Sequence, residues 1–310
     1  MKAYEKWLAI VNPFSANGRT RENWARYWQE AKLMGIDLEY CLTSCQGDGI
    51  KLTKQGIQQG YKKFIAVGGD GTVNEVVNGL MADDDRMASE DIELAVFALG
   101  TGSDFIRSFQ GEIKAEDFIN SLQRRNTRKI DLGKVIFQNS SGQTDSRYFI
   151  NASNIGLGAE VVNEANMNSK ALGSKLTYFS RVLTTLSRYK NIEASLLVDN
   201  ELKVEGRFCG LMVCNGKYIG GGMKIAPDAD LRDGLFDLVV IKDISALYLL
   251  SRIPLIYSGK HINLPAVDIY RCQSLKIETP EHSLLEIDGE IPGTSPSAYY
   301  VLPQCLAMRG

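Results

Sequence analysis

The chain has 310 residues, 44% hydrophobic and 23% charged, and its formal net charge is -2. At roughly 150 residues per domain this length predicts about two domains, and the composition excludes a disordered, collagenous or coiled-coil protein. The charge balance argues against a protein that binds nucleic acid mainly by electrostatics. Six cysteines without a CxxC pair predict thiols in a reducing compartment. Because no signal peptide or long apolar run is found, we expect a cytosolic protein that can rest on a membrane surface.

The first 129 residues alternate short apolar runs with helical patterns. Strands are predicted at 7–11, 37–42, 64–67 and 94–99, and helices at 20–34, 49–59 and 73–81. Apolar strands alternating with helices are typical of a parallel sheet covered on both faces. Ligands of such sheets bind beyond the carboxyl ends of the strands. Loops rich in Gly, Asn, Thr and Asp follow Val11, Val67 and Leu99, so a ligand site is predicted at this edge.

Residues 130–298 are predicted to form a mostly antiparallel β-sandwich. The predicted strands are 130–137, 147–154, 194–198, 208–214, 235–241, 274–279 and 284–287. One long helix is expected at about residues 174–189, with basic residues and one apolar face. Such a helix either lies on anionic lipid or packs in the core. Residues 244–257 form a second apolar segment, interrupted at Pro254. This segment either lines an apolar acceptor site or packs in the core.

The sequence GGDGTVNEVVNGL, from Gly68 to Leu80, is the strongest candidate for a phosphate site. Its glycines let backbone amides approach a phosphate closely, and the following helix N-terminus adds free N–H groups. A carboxylate at Asp70 repels phosphates unless a cation lies between them, which predicts Mg²⁺. Thr72 and Glu75 also fit a capping box, in which their role is purely structural.

This run resembles the glycine-rich signature of the diacylglycerol kinase catalytic-domain family, which includes sphingosine kinases and bacterial soluble lipid kinases. Further segments match the family in order along nearly the whole chain, whereas GGDGT alone is shared with NAD kinases and phosphofructokinases. These segments are NPFSANG at 12–18, ALGTGSDF at 98–105, IDLG at 130–133, NASNIGLGA at 151–159, NG at 215–216, GGGM at 220–223, PDA at 227–229, DGLFD at 233–237 and IDGE at 287–290. The chain departs from the family at Ser103, where Asn is usual, and at Ala98, where Pro is common.

The resemblance implies an α/β nucleotide-binding domain at 1–129, onto which residues 299–310 pack back, and a β-sandwich acceptor domain at 130–298. It places the active site in the cleft between them. The expected ATP contacts are Asn12, Pro13, Phe14, Ser15, Ala16, Asn17, Thr43, Gly68, Gly69, Asp70, Gly71, Thr72, Asn74 and Thr101. Thr43 follows the second predicted strand, where it is either an adenosine contact or an ordinary turn residue.

Four carboxylates are the catalytic candidates that the resemblance implies. The base role falls to the Asp288-Gly289-Glu290 segment, in which either carboxylate takes the proton, or Asp288 instead orients Mg²⁺–ATP. The same segment also fits a plain DG hairpin turn. Asp104 is either a contact near the γ-phosphate or a helix cap, and Asp70 is the fourth candidate.

A second cation site is implied at the loop that begins with Asp230. The resemblance assigns Mg²⁺ or Ca²⁺ to Asp230, Asp233 and the backbone carbonyl of Leu235, which are ligand types that hard cations prefer. A solvated turn is the alternative.

The leading hypothesis is an ATP- and Mg²⁺-dependent lipid kinase. Its expected partners are a lipid substrate and a membrane surface, with no nucleic acid, and a homodimer is compatible with the sequence. A kinase of a soluble acceptor such as NAD is the second hypothesis, and a non-catalytic, nucleotide-regulated lipid-binding protein is the third. No residue discriminates among diacylglycerol, phosphatidylglycerol, ceramide-like bases and undecaprenol as the lipid.

Overall fold

The computed structural model describes residues 6–81, 85, 87, 91–98, 103–110, 115–123, 126–168 and 188–310. The chain divides into two compact units. The first comprises Met1–Leu132, Leu231–Asp233 and Leu302–Gly310, and the second comprises Gly133–Asp230 and Gly234–Val301. These limits lie a few residues from the predicted boundaries at 129/130 and 298/299.

The first unit alternates strands and helices. Its elements are β1 (Trp7–Val11), a 3-10 turn (Ser15–Gly18), α1 (Arg19–Leu33), β2 (Leu38–Leu42), α2 (Asp48–Gln58), β3 (Lys63–Val67), α3 (Asp70–Leu80), β4 (Glu93–Phe97), α4 (Asp104–Phe109) and α5 (Ala115–Gln123). Strand β1 pairs in parallel with both β2 and β3, and β3 pairs in parallel with β4. The end of the chain returns to this unit, where Ala307 and Met308 pair in parallel with β4.

The sheet of the first unit is buried because helices cover both of its faces. Trp7, Ala9 and Val11 face a core that includes Trp24 of α1 and Phe118 of α5. On the other face, α2 approaches so closely that a Cβ added to Gly56 would lie 2.5 Å from Leu8 Cδ2. Burial on both sides explains why β1, β3 and β4 are nearly continuous apolar runs.

The second unit is built mostly from antiparallel strands. Its elements are β5 (Thr127–Asn139), β6 (Thr144–Phe149), β7 (Ala152–Gly156), α6 (Leu157–Asn168), β8 (Ile192–Val198), β9 (Leu202–Cys214), β10 (Phe236–Lys242), α7 (Ala246–Ser251), α8 (Ile253–Ser258), a 3-10 turn (Lys260–Asn263), β11 (Val267–Cys272), β12 (Ser274–Glu278), β13 (Leu284–Ile287) and β14 (Glu290–Arg309). The first residues of β5 and the last of β14 belong to the first unit.

Pairing closes part of the second unit on itself. Strands β8, β9, β7, β13, β14 and β12 pair in this order, and β12 pairs back with β8. The enclosed core contains Phe149, Phe236 and Tyr299, each fully buried. The prediction of an α/β first domain and a mostly β second domain is confirmed.

Several elements differ from the sequence-based prediction. The predicted strand 147–154 is two strands, β6 and β7, separated at Ile150 and Asn151. Strands β11 and β14 and helix α6 were not predicted. Residues 244–257 form two short helices, and α8 starts with Pro254 in its first turn, where proline is tolerated. The predicted helix 174–189 lies outside the described residues except for its last two positions.

Glu75 links α3 to α2, and this contradicts the capping box predicted with Thr72. Helix α3 starts earlier than predicted, after Gly69, so that Thr72 lies inside the helix. The carboxylate of Glu75 instead accepts hydrogen bonds from the backbone N–H groups of Gly47 (2.7 Å) and Gly49 (2.8 Å), at the start of α2. A Cβ at residue 49 would lie 2.5 Å from Glu75 Oε2, which explains the glycine.

We expect the substitution Glu75→Ala to lower the free energy of unfolding by about 1–3 kcal/mol, because two amides at the start of α2 lose a charged acceptor. Urea unfolding measures this loss. The control is Glu22→Ala, an exposed residue in the first turn of α1. Equal stabilities of the two variants would contradict the assigned role.

Candidate active site

Adjacent strand ends bring together two of the three predicted loops of the first unit, those after Val11 and Val67, whereas the third, after Leu99, begins outside the described residues. The N–H of Asn12 donates to the carbonyl of Val67 at 2.9 Å, and the N–H of Thr43 donates to that of Val11 at 2.9 Å. The N–H of Gly68 donates to the carbonyl of Phe97 at 3.2 Å. The loops after β1, β2 and β3 therefore start side by side at the carboxyl edge of the sheet, where ligands of parallel sheets bind.

Asn12 fixes the loop that follows β1. Its Nδ2 donates to Thr72 Oγ1 at 3.2 Å, and its Oδ1 accepts from the N–H of Phe14 at 3.0 Å. The hydroxyl of Ser15 donates to the carbonyl of Asn12 at 2.9 Å and lies 2.6 Å from Thr20 Oγ1. One side chain thus ties the NPFS loop to the glycine-rich loop.

The side chains of the loop that follows β1 differ in their exposure to solvent. Pro13 is buried, whereas Phe14 is 67% exposed. Ala16 has a φ of 53°, a left-handed conformation that is uncommon outside glycine. The side chain of Asn17, another predicted ATP contact, lies outside the described part of the structure.

The glycine-rich loop ends directly in the first turn of α3. The first amides of a helix have no intrahelical acceptor and carry the positive end of the helix dipole. A Cβ added to Gly69 or Gly71 would meet no atom within 4 Å, so the space beside both residues is open. A Cβ on Gly68 would lie 2.3 Å from Thr72 Oγ1. The arrangement suits an anion that approaches the backbone.

The carboxylate of Asp70 ties α3 to α4. Its Oδ1 accepts from the hydroxyl of Ser103 at 2.7 Å and from the N–H of Phe105 at 3.4 Å, and its Oδ2 accepts from the N–H of Asp104 at 3.1 Å. Ser103 Oγ also accepts from the N–H of Ile106 and so caps α4. Asp70 therefore has a positional role in addition to the cation role that the sequence predicts.

The other predicted residues of the first unit are placed as follows. Asp104 is 4% exposed, and its Oδ1 lies 3.3 Å from Arg107 Nη1. Asn74 is buried, and its carbonyl and Oδ1 accept from Asn78 Nδ2 at 2.9 and 3.2 Å. Thr43 is buried at the end of β2. Thr101 lies outside the described residues.

Asp288 and Gly289 form the two-residue turn between β13 and β14. Ile287 pairs with Glu290 across the turn, and Asp288 and Gly289 have φ values of 44° and 94°. Positive φ at both positions is what a type I′ hairpin requires, and Asp-Gly is a preferred pair for it. The hairpin interpretation of this segment therefore holds alongside any catalytic role.

The side chain of Asp288 binds the break between β6 and β7. Its Oδ2 accepts from the N–H of Ile150 at 2.9 Å, and its Oδ1 accepts from those of Asn151 and Ala152 at 3.1 and 2.9 Å. Its own N–H donates to the carbonyl of Ala152 at 3.0 Å. Asp288 is 7% exposed. Its two oxygens are thus engaged by backbone amides, which favours a positional role over proton transfer.

Glu290 is the more accessible carboxylate of the segment. Its Oε2 lies 2.5 Å from Arg147 Nη1, and its side chain is 19% exposed. A carboxylate at the margin of solvent can be reached by an acceptor hydroxyl more readily than one whose oxygens are enclosed by backbone amides.

Glu286 is a buried carboxyl that the sequence analysis missed. It is 4% exposed, and burial raises its pKa to about 8. It accepts hydrogen bonds from Asn154 Nδ2 and from the N–H of Gly289. The available signal was a charged residue inside the apolar run of β13, two residues before Asp288.

The predicted structural cation site stays a prediction. Asp230 and Leu235 belong to the second unit and Asp233 to the first. Among the described residues, no group of three or more His, Cys, Asp and Glu side chains is placed to hold a metal. The predicted site combines two carboxylates with a carbonyl, so that finding does not bear on it.

Comparison with known families decides the classification. The model of the diacylglycerol kinase catalytic domain matches residues 6–135, and that of the YegS C-terminal NAD kinase beta sandwich-like domain matches residues 152–309, about half of the chain. The chain belongs to the diacylglycerol kinase catalytic-domain family. The resemblance predicted from the sequence is thereby confirmed.

Individual relatives extend over nearly the full chain. Diacylglycerol kinase of Bacillus subtilis (strain 168) is 29% identical over 295 residues, which cover 94% of this chain and 91% of that protein. The crystal structure of a diacylglycerol kinase from Bacillus anthracis has a TM-score of 0.69 at 22% identity and covers 100% of this chain and 98% of that chain. An NAD kinase from Archaeoglobus fulgidus in complex with ATP has a TM-score of 0.52 at 11% identity, with 98% and 93% covered. The two structures show a shared fold.

In the described part of the chain, no helix is long and apolar enough to cross a membrane.

Proposed function

We propose that this protein is a kinase that transfers the γ-phosphoryl group of ATP to a lipid hydroxyl. The proposal depends on one observation. Asn12, Gly68 and Thr72 lie together at the carboxyl edge of the first sheet, beside the first turn of α3. This arrangement suits a phosphate chain, and it occurs in a member of the diacylglycerol kinase catalytic-domain family. The lipid acceptor is supported by the names of the relatives.

The first unit would hold ATP through its amide-lined loops. The open space beside Gly69 and Gly71 would take the phosphates, and Thr43, which lies at the same edge, would contact the adenosine. Mg²⁺ fits this donor set, because it needs only one or two carboxylates in addition to phosphate oxygens and waters. Asp70 and Asp104 would hold it, and bound Mg²⁺ would neutralise charge on the phosphates.

The transfer forms one bond and breaks one. The oxygen of the lipid hydroxyl attacks the γ-phosphorus, the bond from that phosphorus to the β,γ-bridging oxygen breaks, and ADP leaves with the electron pair. The hydroxyl proton passes to a carboxylate of the second unit. We assign this proton to Glu290, since the carboxylate of Asp288 is occupied by three backbone N–H groups. Arg147 would hold the side chain of Glu290 in place through the ion pair between them.

Labelled ATP, incubated with a panel of lipids in detergent micelles and separated by thin-layer chromatography, tests this function. The panel contains diacylglycerol, phosphatidylglycerol, a sphingoid base and undecaprenol, with NAD as the soluble competitor. Label in a lipid product that depends on Mg²⁺ is the expected result. Label in NADP alone would favour the soluble-acceptor hypothesis, and no transfer to any acceptor would favour the non-catalytic one.

We also propose a second bound cation, whose ligands would be Asp230, Asp233 and the backbone carbonyl of Leu235. We expect Mg²⁺ or Ca²⁺ to raise the melting temperature of the protein and EDTA to lower it, because a ligand that binds only the folded state stabilises it. Differential scanning fluorimetry with a cation titration measures the shift. The substitution Asp233→Asn should abolish it, whereas the exposed control Asp228→Asn should not. An unchanged shift in the Asp233 variant would contradict the site.

A further inference from the structure

Glu286 and Asn154 face each other across two neighbouring strands. Residue 286 pairs directly with residue 154 in the antiparallel register of β13 and β7. Both side chains are buried, at 4% and 6% exposure. The backbone carbonyl of Glu286 also accepts from Ser153 Oγ at 2.7 Å, which fixes the register at this point.

The carboxyl of Glu286 binds the turn that carries the proposed catalytic segment. In a two-residue hairpin the amides of the turn residues do not join the ladder between the strands. The N–H of Asp288 donates to the carbonyl of Ala152, and the N–H of Gly289 donates to Glu286 Oε1. The other oxygen, Oε2, accepts from Asn154 Nδ2. Glu286 therefore connects the second turn residue to β7.

The contact extends to the start of α6. A Cβ added to Gly158, in the first turn of that helix, would lie 3.2 Å from Asn154 Cβ. The side chain of Asn154 is thus buried beside Gly158 and hydrogen-bonded to Glu286, so that moving it would disturb both contacts. A buried pair with this little freedom restricts the position of the turn.

We propose that Glu286 is a positioning residue for the proposed phosphoryl transfer, and that with Asn154 it clamps the Asp288-Gly289 turn so that Glu290 is presented in one place. The inference rests on the proposed function only for its kinetic consequence, since the clamp itself is a property of the folded second unit. Positioning of this kind matters because small displacements of a reacting group cost a large part of its rate.

The test compares three variants by hydrogen exchange and by kinetics. Glu286→Gln keeps an oxygen for the N–H of Gly289. Its amide can donate to Asn154 Oδ1 once the terminal amide of Asn154 turns over, because Nδ2 faces residue 286 in the wild type and Oδ1 has no hydrogen-bond partner among the described residues. Glu286→Ala removes both interactions. Glu278→Ala, an exposed glutamate at the end of β12 in the same unit, is the matched control.

In Glu286→Ala we expect amide exchange in a peptide covering residues 284–292 to be at least about tenfold faster, since the turn opens more often. We expect its kcat to fall at least about tenfold, with KM for ATP changed less than about threefold. Glu286→Gln should stay within about threefold of the wild type in both measurements, and Glu278→Ala should match the wild type. If Glu286→Ala does not fold, Asn154→Ala takes its place with the same expectation.

Two results would overturn the proposal. Unchanged exchange in Glu286→Ala would mean that no clamp exists. A kcat in Glu286→Gln as low as in Glu286→Ala, with the turn still protected, would make the Glu286 carboxyl a participant in the chemistry instead of a positioning group. If the wild type transfers phosphate to no acceptor, the proposed function fails, and the exchange comparison still decides whether the clamp exists.

Discussion

Replacing Glu290 by glutamine is expected to lower kcat by about 10²–10⁴-fold, the usual contribution of a general base. The free energy of unfolding should change by less than about 1 kcal/mol, because the variant loses only one partly exposed ion pair, to Arg147. Single-turnover transfer from ATP to the lipid and urea unfolding measure the two quantities.

Asp288→Ala provides the contrast within the same turn. It leaves the N–H groups of Ile150, Asn151 and Ala152 without an acceptor, and it places alanine at a φ near 44°. We expect a loss of about 3 kcal/mol or more in stability, since each buried unsatisfied donor costs about 1–3 kcal/mol. Asp288→Asn, which tolerates this backbone, should lose less. If Glu290→Gln lost stability and Asp288→Ala did not, the two roles assigned here would be reversed.

Replacing Asp70 by asparagine is expected to reduce turnover at least about 100-fold. The variant loses the charge that would hold Mg²⁺. The new amide group also faces the donors at Ser103, Asp104 and Phe105. We therefore expect a loss of stability as well, about 1–3 kcal/mol.

The role of Asp70 is decided by comparing the loss of turnover with the loss of stability in this variant. Turnover is measured at a temperature where the variant is fully folded, so that loss of stability does not lower it. Asp117→Asn, an exposed carboxylate on α5, is the control and should leave both quantities unchanged. Turnover that fell only in proportion to the folded fraction would mean that Asp70 is purely structural.

Much of the structure of the first unit can be predicted from local sequence patterns. The apolar runs at β1, β3 and β4 are recognisable because strands buried on both faces admit few polar residues, and glycines and asparagine mark the loops that leave them. The loops after Val11 and Val67 were predicted to share one sheet edge, and Asn12 and Gly68 do begin there side by side. The departure at Ser103 is also accounted for, since its hydroxyl both caps α4 and donates to Asp70.

Other features depended on partners far away in the chain. Glu75 fits a capping box in sequence, yet it caps α2 because Gly47 and Gly49 lie within reach in the fold. The break between β6 and β7 has no local signal, because the acceptor for its amides is Asp288, more than a hundred residues later. Strand β14 was not predicted from the sequence. It is held as a strand by pairing with β12, β13 and β4, and a single sequence does not reveal such pairing.

The sequence by itself determined the family, the alternation of the first unit and the identity of the acidic residues, because these depend on residue types at short, fixed spacings. Only the tertiary structure decided what each carboxylate does. Asp288, Glu286 and Glu290 lie within five residues of one another, yet one accepts three amides, one is buried against Asn154 and one pairs with Arg147. The chemistry of a carboxylate is set by its neighbours in space, and hydrogen bonds between distant segments choose those neighbours.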